Sequence, residues 1–132
     1  MKILRVSDIV TFKQDDLEID VSPMTYQMSM EYDQMVTVNG GEIKSDNLKR
    51  AEFLIKNCVK EIRGVQDMDG KDIELKSPFN ESSLSDVMTT LSRTKLAPHL
   101  SSVAYFSTLP GNEVDYMVNG KKVNLGKSKK QS

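Results

Sequence analysis

Tryptophan is absent from this chain, histidine and cysteine occur once each, and no apolar run extends beyond a few residues. Each scarcity excludes something. The single cysteine, Cys58, cannot form an intramolecular disulfide and fits a reducing compartment. The single histidine, His99, is a weak catalytic signal, because a general base also needs a nucleophile and an orienting group. No stretch approaches the roughly 20 apolar residues of a membrane span. The opening MKILRVSDIV has an apolar run too short for a signal-peptide core, and Asp8 interrupts it, so none is expected. Charge of one sign is lacking too. Eighteen Lys and Arg against 19 Asp and Glu leave a net charge of −1, which points to neither a nucleic-acid nor an anionic-membrane partner. The expected location is the cytoplasm.

What is present is ordinary for a folded domain: 132 residues, 38% hydrophobic and 28% charged. Residues 1–126 are expected to form one α+β domain, and residues 127–132 a disordered basic tail. Methionine is plentiful. Four of the eight, Met24, Met28, Met30 and Met35, crowd into one short segment. Such side chains suit an irregular core or an adaptable contact surface, and both readings stand at this point.

Periodicity predicts short antiparallel hairpins with about four amphipathic helices. Residues 8–21 read as a hairpin, since Leu17-Glu18-Ile19-Asp20-Val21 alternates around a polar turn. Ser22-Pro23 reads as the start of a helix continuing to Val36, with Asn39-Gly40-Gly41 as its stop. Ser45-Asp46 opens a second helix, capped by Ser45, with Leu48, Ala51, Leu54, Ile55 and Cys58 on one stripe. Val59, Ile62 and Val65 leave helix tail and strand undecided. A hairpin follows over residues 61–75, turning at Asp69-Gly70. Leu84, Val87, Met88 and Leu91 mark a third helix, and Leu100, Val103 and Ala104 a fourth that starts near Pro98. Asn119-Gly120 turns a last hairpin over residues 114–125.

No motif supplies a chemistry. Taking Asp67 as the first ligand of a calcium loop puts Gly70 fourth instead of sixth and Pro78 at the place of the bidentate glutamate. No metal site is expected there. Asp15-Asp16 and Glu31/Asp33 are neighbours on polar segments, not carboxylates set in different environments across a cleft. Cys58 follows an apolar stripe and reads as a packed thiol. Asn39-Gly40-Gly41 lacks the spacing of a phosphate-binding loop. Neither a catalytic residue nor a cofactor is expected, and the chain is not read as an enzyme.

The segment V-x-D-x-D-G-K-x-I-x-L, Val65 to Leu75, precedes a Ser/Asn-containing entry and two short helices. This order resembles the small tail assembly chaperones of tailed bacteriophages. The I-x-V strand and Tyr/Met-containing segment from Asp16 to Tyr32 sit in the same pattern. Where that family often has an aromatic residue before the turn strand, this chain has Ile62-Arg63-Gly64. The resemblance implies a non-catalytic protein of the host cytoplasm that holds a hydrophobic tape-measure protein and helps recruit tail-tube subunits. Met24, Met28, Tyr32 and Met35 are then the candidate client surface. A structural subunit of a tail or baseplate, or a small regulator of a host protein, would use the same features differently.

Overall fold

Alternation sets the first two strands, β1 (Val10–Gln14) and β2 (Leu17–Val21), which pair antiparallel with Phe12 opposite Ile19. The computed structural model describes residues 2–39, 41–45, 47–111 and 113–125, so the tail at 127–132 lies outside the described residues. The chain continues through α1 (Tyr26–Asp33), β3 (Val36–Asn39), β4 (Glu42–Ser45), α2 (Asn47–Cys58) and β5 (Val59–Arg63). Then come β6 (Leu75–Lys76), α3 (Glu81–Ser92), α4 (Ala97–Ala104), β7 (Asp115–Val118) and β8 (Lys121–Leu125). The fold is α+β, with a six-stranded antiparallel sheet in the order β6-β5-β2-β1-β7-β8 and a separate β3–β4 pair.

Register writes a buried row across the sheet. Leu75, Ile62, Ile19, Phe12 and Tyr116 are partners in succession from β6 to β7, and all five are buried. Fully burying one such aliphatic or phenylalanine side chain contributes about 1.5–3 kcal/mol. Helices cover this face: α4 lies against β2 and α3 against β6, while α2 packs on α3. They add Leu54, Ile55, Leu84, Val87, Leu100 and Val103 to the core. The other face carries the alternate residues Thr11, Lys13, Glu18, Asp20, Glu61 and Arg63.

Helix ends follow local chemistry. Asn80 caps α3 by accepting from the Ser83 amide at 2.8 Å, and the Ser83 hydroxyl accepts from the Asn80 amide at 2.9 Å. Pro98 sits in the first turn of α4, where its missing N–H costs nothing. The first helix differs from expectation. Ser22 and Met24 remain extended and donate backbone bonds to the carbonyls of Cys58 and Ala104, at 2.9 and 2.8 Å. The helix begins only after Thr25, whose hydroxyl accepts from the Met28 amide at 3.1 Å.

Nor does it reach Val36, which opens β3 opposite Ser45. Asn39 and Gly41 (φ +87°) therefore flank a hairpin turn, not a helix stop, and Ser45 ends β4. Leu48 leaves the expected apolar stripe and is 61% exposed. The ambiguous segment after Cys58 is β5: Asp20 pairs with Glu61 and Val21 with Val59, leaving Lys60 as a bulge.

Gly64, at φ +95°, follows β5 and lies so close to the β1–β2 turn that a Cβ there would overlap the Asp16 carbonyl. Both the left-handed backbone and the contact require glycine. Gly64→Ala is expected to destabilise the fold by roughly 2 kcal/mol or more. A lowered urea midpoint with an unchanged m-value would show it, and an unshifted midpoint would refute it.

Candidate binding groove

The apolar faces of α2, α3 and α4 do not close completely on one another. Between them runs a groove of about 300 Å³. Leu54, Ile55 and Leu100 are buried at its floor, while Arg50, Met88 and Leu91 are half-buried along its walls. Positions 47, 50, 51, 54 and 55 of α2 all face it, the i, i+3, i+4 ridge that a helix presents to another helix. Tyr32 of α1 completes the rim.

Tyr32 is held by aromatic neighbours. Its ring centroid lies 6.2 Å from that of Phe53 and 5.5 Å from that of Tyr105, which meets Phe106 edge-on at 4.8 Å. The Arg50 guanidinium stacks 4.0 Å from the centre of the Tyr32 ring. Its Nε is shielded from solvent and has no hydrogen-bond acceptor among the described residues. Tyr105 donates to Asp33 at 2.6 Å, and this bond holds the phenol above its ordinary pKa.

The four residues expected at a client surface separate. Met24 is 6% exposed and belongs to the core, so its side chain packs within the protein instead of facing a client. Met28 packs half-buried against that core, and Met35 is half-buried just beyond α1. Tyr32 is the member that lines the groove. Arg50, Met88, Leu91 and Leu100 escape sequence reasoning as a site, because each reads only as part of its own helix and the convergence is tertiary.

The acidic stretch is accounted for by its turn. One Asp67 carboxylate oxygen accepts from the amides of Asp69 and Lys71, at 2.8 and 3.0 Å, and Gly70 adopts φ +82°. Asn119 and Gly120 both take positive φ, as a two-residue hairpin turn requires. The Asn119 side chain also ties the chain before β1, accepting from the Ile9 amide at 2.8 Å and donating to Asp8 at 2.9 Å. Cys58 is fully buried, and desolvation pushes its thiol up to about 12, so it remains protonated at neutral pH. The His99 ring stands 6.4 Å from that of Phe12. Asp15, with φ +55°, and Asp16 form the β1–β2 turn.

That turn borders a wider hollow of about 590 Å³, shared with the β5–β6 loop and the C-terminal half of α3. Its walls mix Asp15, Asp16, Asp86 and Arg93 with threonines, and the ridge that α3 and its C-cap present to it, Asp86, Thr89, Thr90 and Arg93, is polar where that of the groove is largely apolar. Met68, at the tip of the β5–β6 loop, is completely exposed beside it. Among the described residues no three His, Cys, Asp or Glu side chains are arranged to hold a metal, and no helix is long and apolar enough to cross a membrane.

No protein-family model, curated protein or solved structure matches the chain.

On the open sheet face Arg63 engages carboxylates with all three of its nitrogens. It grips Asp20 with two nitrogens, at 2.9 and 3.0 Å, and bonds Glu18 and Glu61 at 3.1 Å each. Thr11 donates to Asp20 at 2.6 Å. Burial opposes ionisation of Asp20, but the bonds from Arg63 and Thr11 outweigh it and hold the carboxyl below its ordinary value. A folded-state pKa below the unfolded one adds stability above the unfolded value of about 4 and loses it as pH falls through the folded value. Asp20→Asn should therefore flatten the acid limb of the urea midpoint against pH. An acid slope equal to the wild type's would show that Asp20 contributes nothing to it.

Proposed function

We propose that this chain is a non-catalytic chaperone of the phage tail assembly type, which holds an apolar helical segment of a tape-measure-type client in its groove. The observation that carries the reading is the groove itself, an apolar channel framed by ridges of three helices. An amphipathic helix enters such a channel through apolar anchors at its own i, i+3, i+4 and i+7 positions, and Leu54, Ile55 and Leu100 give them an apolar floor. Met88 on one wall can repack against different side chains, which suits a client of varied sequence. The order of strand, Asp-Gly turn, strand and helix pair supports the same family reading.

A virion-structural role is the second reading, and β8 favours it. This strand ends the sheet order and pairs within the sheet with β7, so its outer edge could receive a strand from a neighbour. Lys121 and Lys122 on the strand weigh against it, because edge lysines discourage such pairing.

Ala51 is half-buried in the groove wall, and Ala51→Trp would fill the channel from a site that does not support the sheet. Tagged wild-type protein recovered from its native host should carry a long, Ala/Leu-rich helical protein. The Ala51→Trp variant, native by circular dichroism, should lose at least about 90% of it, the loss expected when an anchor pocket worth about 1.4 kcal/mol or more is blocked. Equal recovery by both proteins, or stoichiometric incorporation of the wild type into finished particles, would overturn the proposal.

A further inference from the structure

We propose that Arg50 gives the groove a charge preference: it selects an amphipathic helix that carries an acidic residue beside its apolar stripe. This inference rests on the groove being a helix-binding site. Its ground is the contrast between two arginines. Arg63 is surrounded by Glu18, Asp20 and Glu61 and has carboxylate oxygens on three of its nitrogens. Arg50 is oriented instead by stacking on Tyr32, and its shielded Nε finds no acceptor among the described residues.

Arg50 is also the one charged side chain among the described residues that line the groove. Met88 and Leu91 on the walls and Leu54 and Leu100 on the floor make much of its surroundings apolar, beside Asn47, Ser92 and Ser101, and apolar neighbours screen a charge less than water does. A guanidinium already fixed on a ring loses little freedom when it takes a carboxylate, and its planar fork matches that group.

Charge complementarity discriminates among occupants. The chain's own terminal GKSKKQS is basic and would meet Arg50 with like charge. An acid-flanked apolar helix supplies both what the floor buries and what Arg50 pairs. A second copy could offer α1, whose Tyr26 (80% exposed) and Met30 (45% exposed) lie one turn apart beside Glu31. That occupant is separated by the test.

The probes are two fluorescein-labelled amphipathic peptides of about 18 residues, long enough to form helix in water. They have leucines at i, i+3, i+4 and i+7 and differ only in glutamate or lysine at one flanking position. Anisotropy titration of the wild type should show the glutamate peptide binding about tenfold tighter, the order expected of one charge-assisted pair at a half-buried site. Arg50→Gln should erase the difference and Arg50→Glu should reverse it, with both variants native by circular dichroism. Added salt should shrink the wild-type preference. Equal binding of both peptides by the wild type would overturn the Arg50 assignment while leaving the groove as a helix site. Binding of neither would remove the groove reading and this inference with it. Wild-type dimerisation abolished by Arg50→Glu would give the groove to a second copy and overturn the proposal as well.

Discussion

The row Leu75–Ile62–Ile19–Phe12–Tyr116 ties five strands into one surface, and the rest of the molecule is arranged to keep water from it. A slip of one residue in any of these pairings would put a core side chain on the charged face and a charged one in the core. The two faces therefore specify the same register. On the buried side the constraint is burial of apolar area. On the open side it is the fixed geometry of Arg63, which can reach Asp20, Glu18 and Glu61 together only when β2 and β5 pair as they do. Arg63 and its acids are partly exposed, so their value lies more in specifying the alignment than in net stability.

Covering that row takes helices at fixed places, and the groove is a consequence. α4 and α3 are anchored to different strands, β2 and β6, while α2 is continuous with β5 through Cys58 and Val59. Each helix turns one part of its apolar stripe toward the sheet. The part that remains, at the junction of the three, is bordered by Tyr32 of α1 but not covered by another helix among the described residues. Leu54, Ile55 and Leu100 thus serve two surfaces, buried in the core and forming the floor of the groove. A site built on secondary structure in this way is held more rigidly than one built on loops.

Much of this architecture is legible in the sequence, and the parts that are not share a physical cause. Alternation in Leu17–Val21 and the Asn119-Gly120 turn identify hairpins because their signals are local. The stripes of α3 and α4 are legible for the same reason. Val59 and Ile62 are not, since a bulge at Lys60 lets residues three apart face one side of a strand, a spacing that otherwise denotes a helix. The β3–β4 pair is missed because Tyr32 and Met35 prolong an apparent helical period into Val36. Ser22 looks like a cap in sequence, but its amide bonds the Cys58 carbonyl across the fold and the helix starts three residues later, capped by Thr25. The groove is the least legible of all: Met24, drawn in by composition, is core, whereas Arg50 reads as one charge on a solvated helix face.

The difference between Arg50 and Arg63 bears on what such a small protein can discriminate. A wholly apolar channel would accept any amphipathic helix of suitable size, and apolar contacts alone distinguish competing ligands weakly. One fixed charge changes that, because a helix presenting a lysine against Arg50 suffers like-charge repulsion as well as losing a pair. The same residue also limits misuse of the groove. On the proposed reading a basic segment would be repelled, and a wholly apolar one would leave the guanidinium covered without a partner, which is costly once water is displaced. The aromatic neighbours of Tyr32 matter for this reason. By fixing the ring on which Arg50 lies, Phe53 and Tyr105 fix the direction from which an acid must approach. On the proposed reading, selectivity in the groove would therefore be set partly by residues that never touch the bound helix.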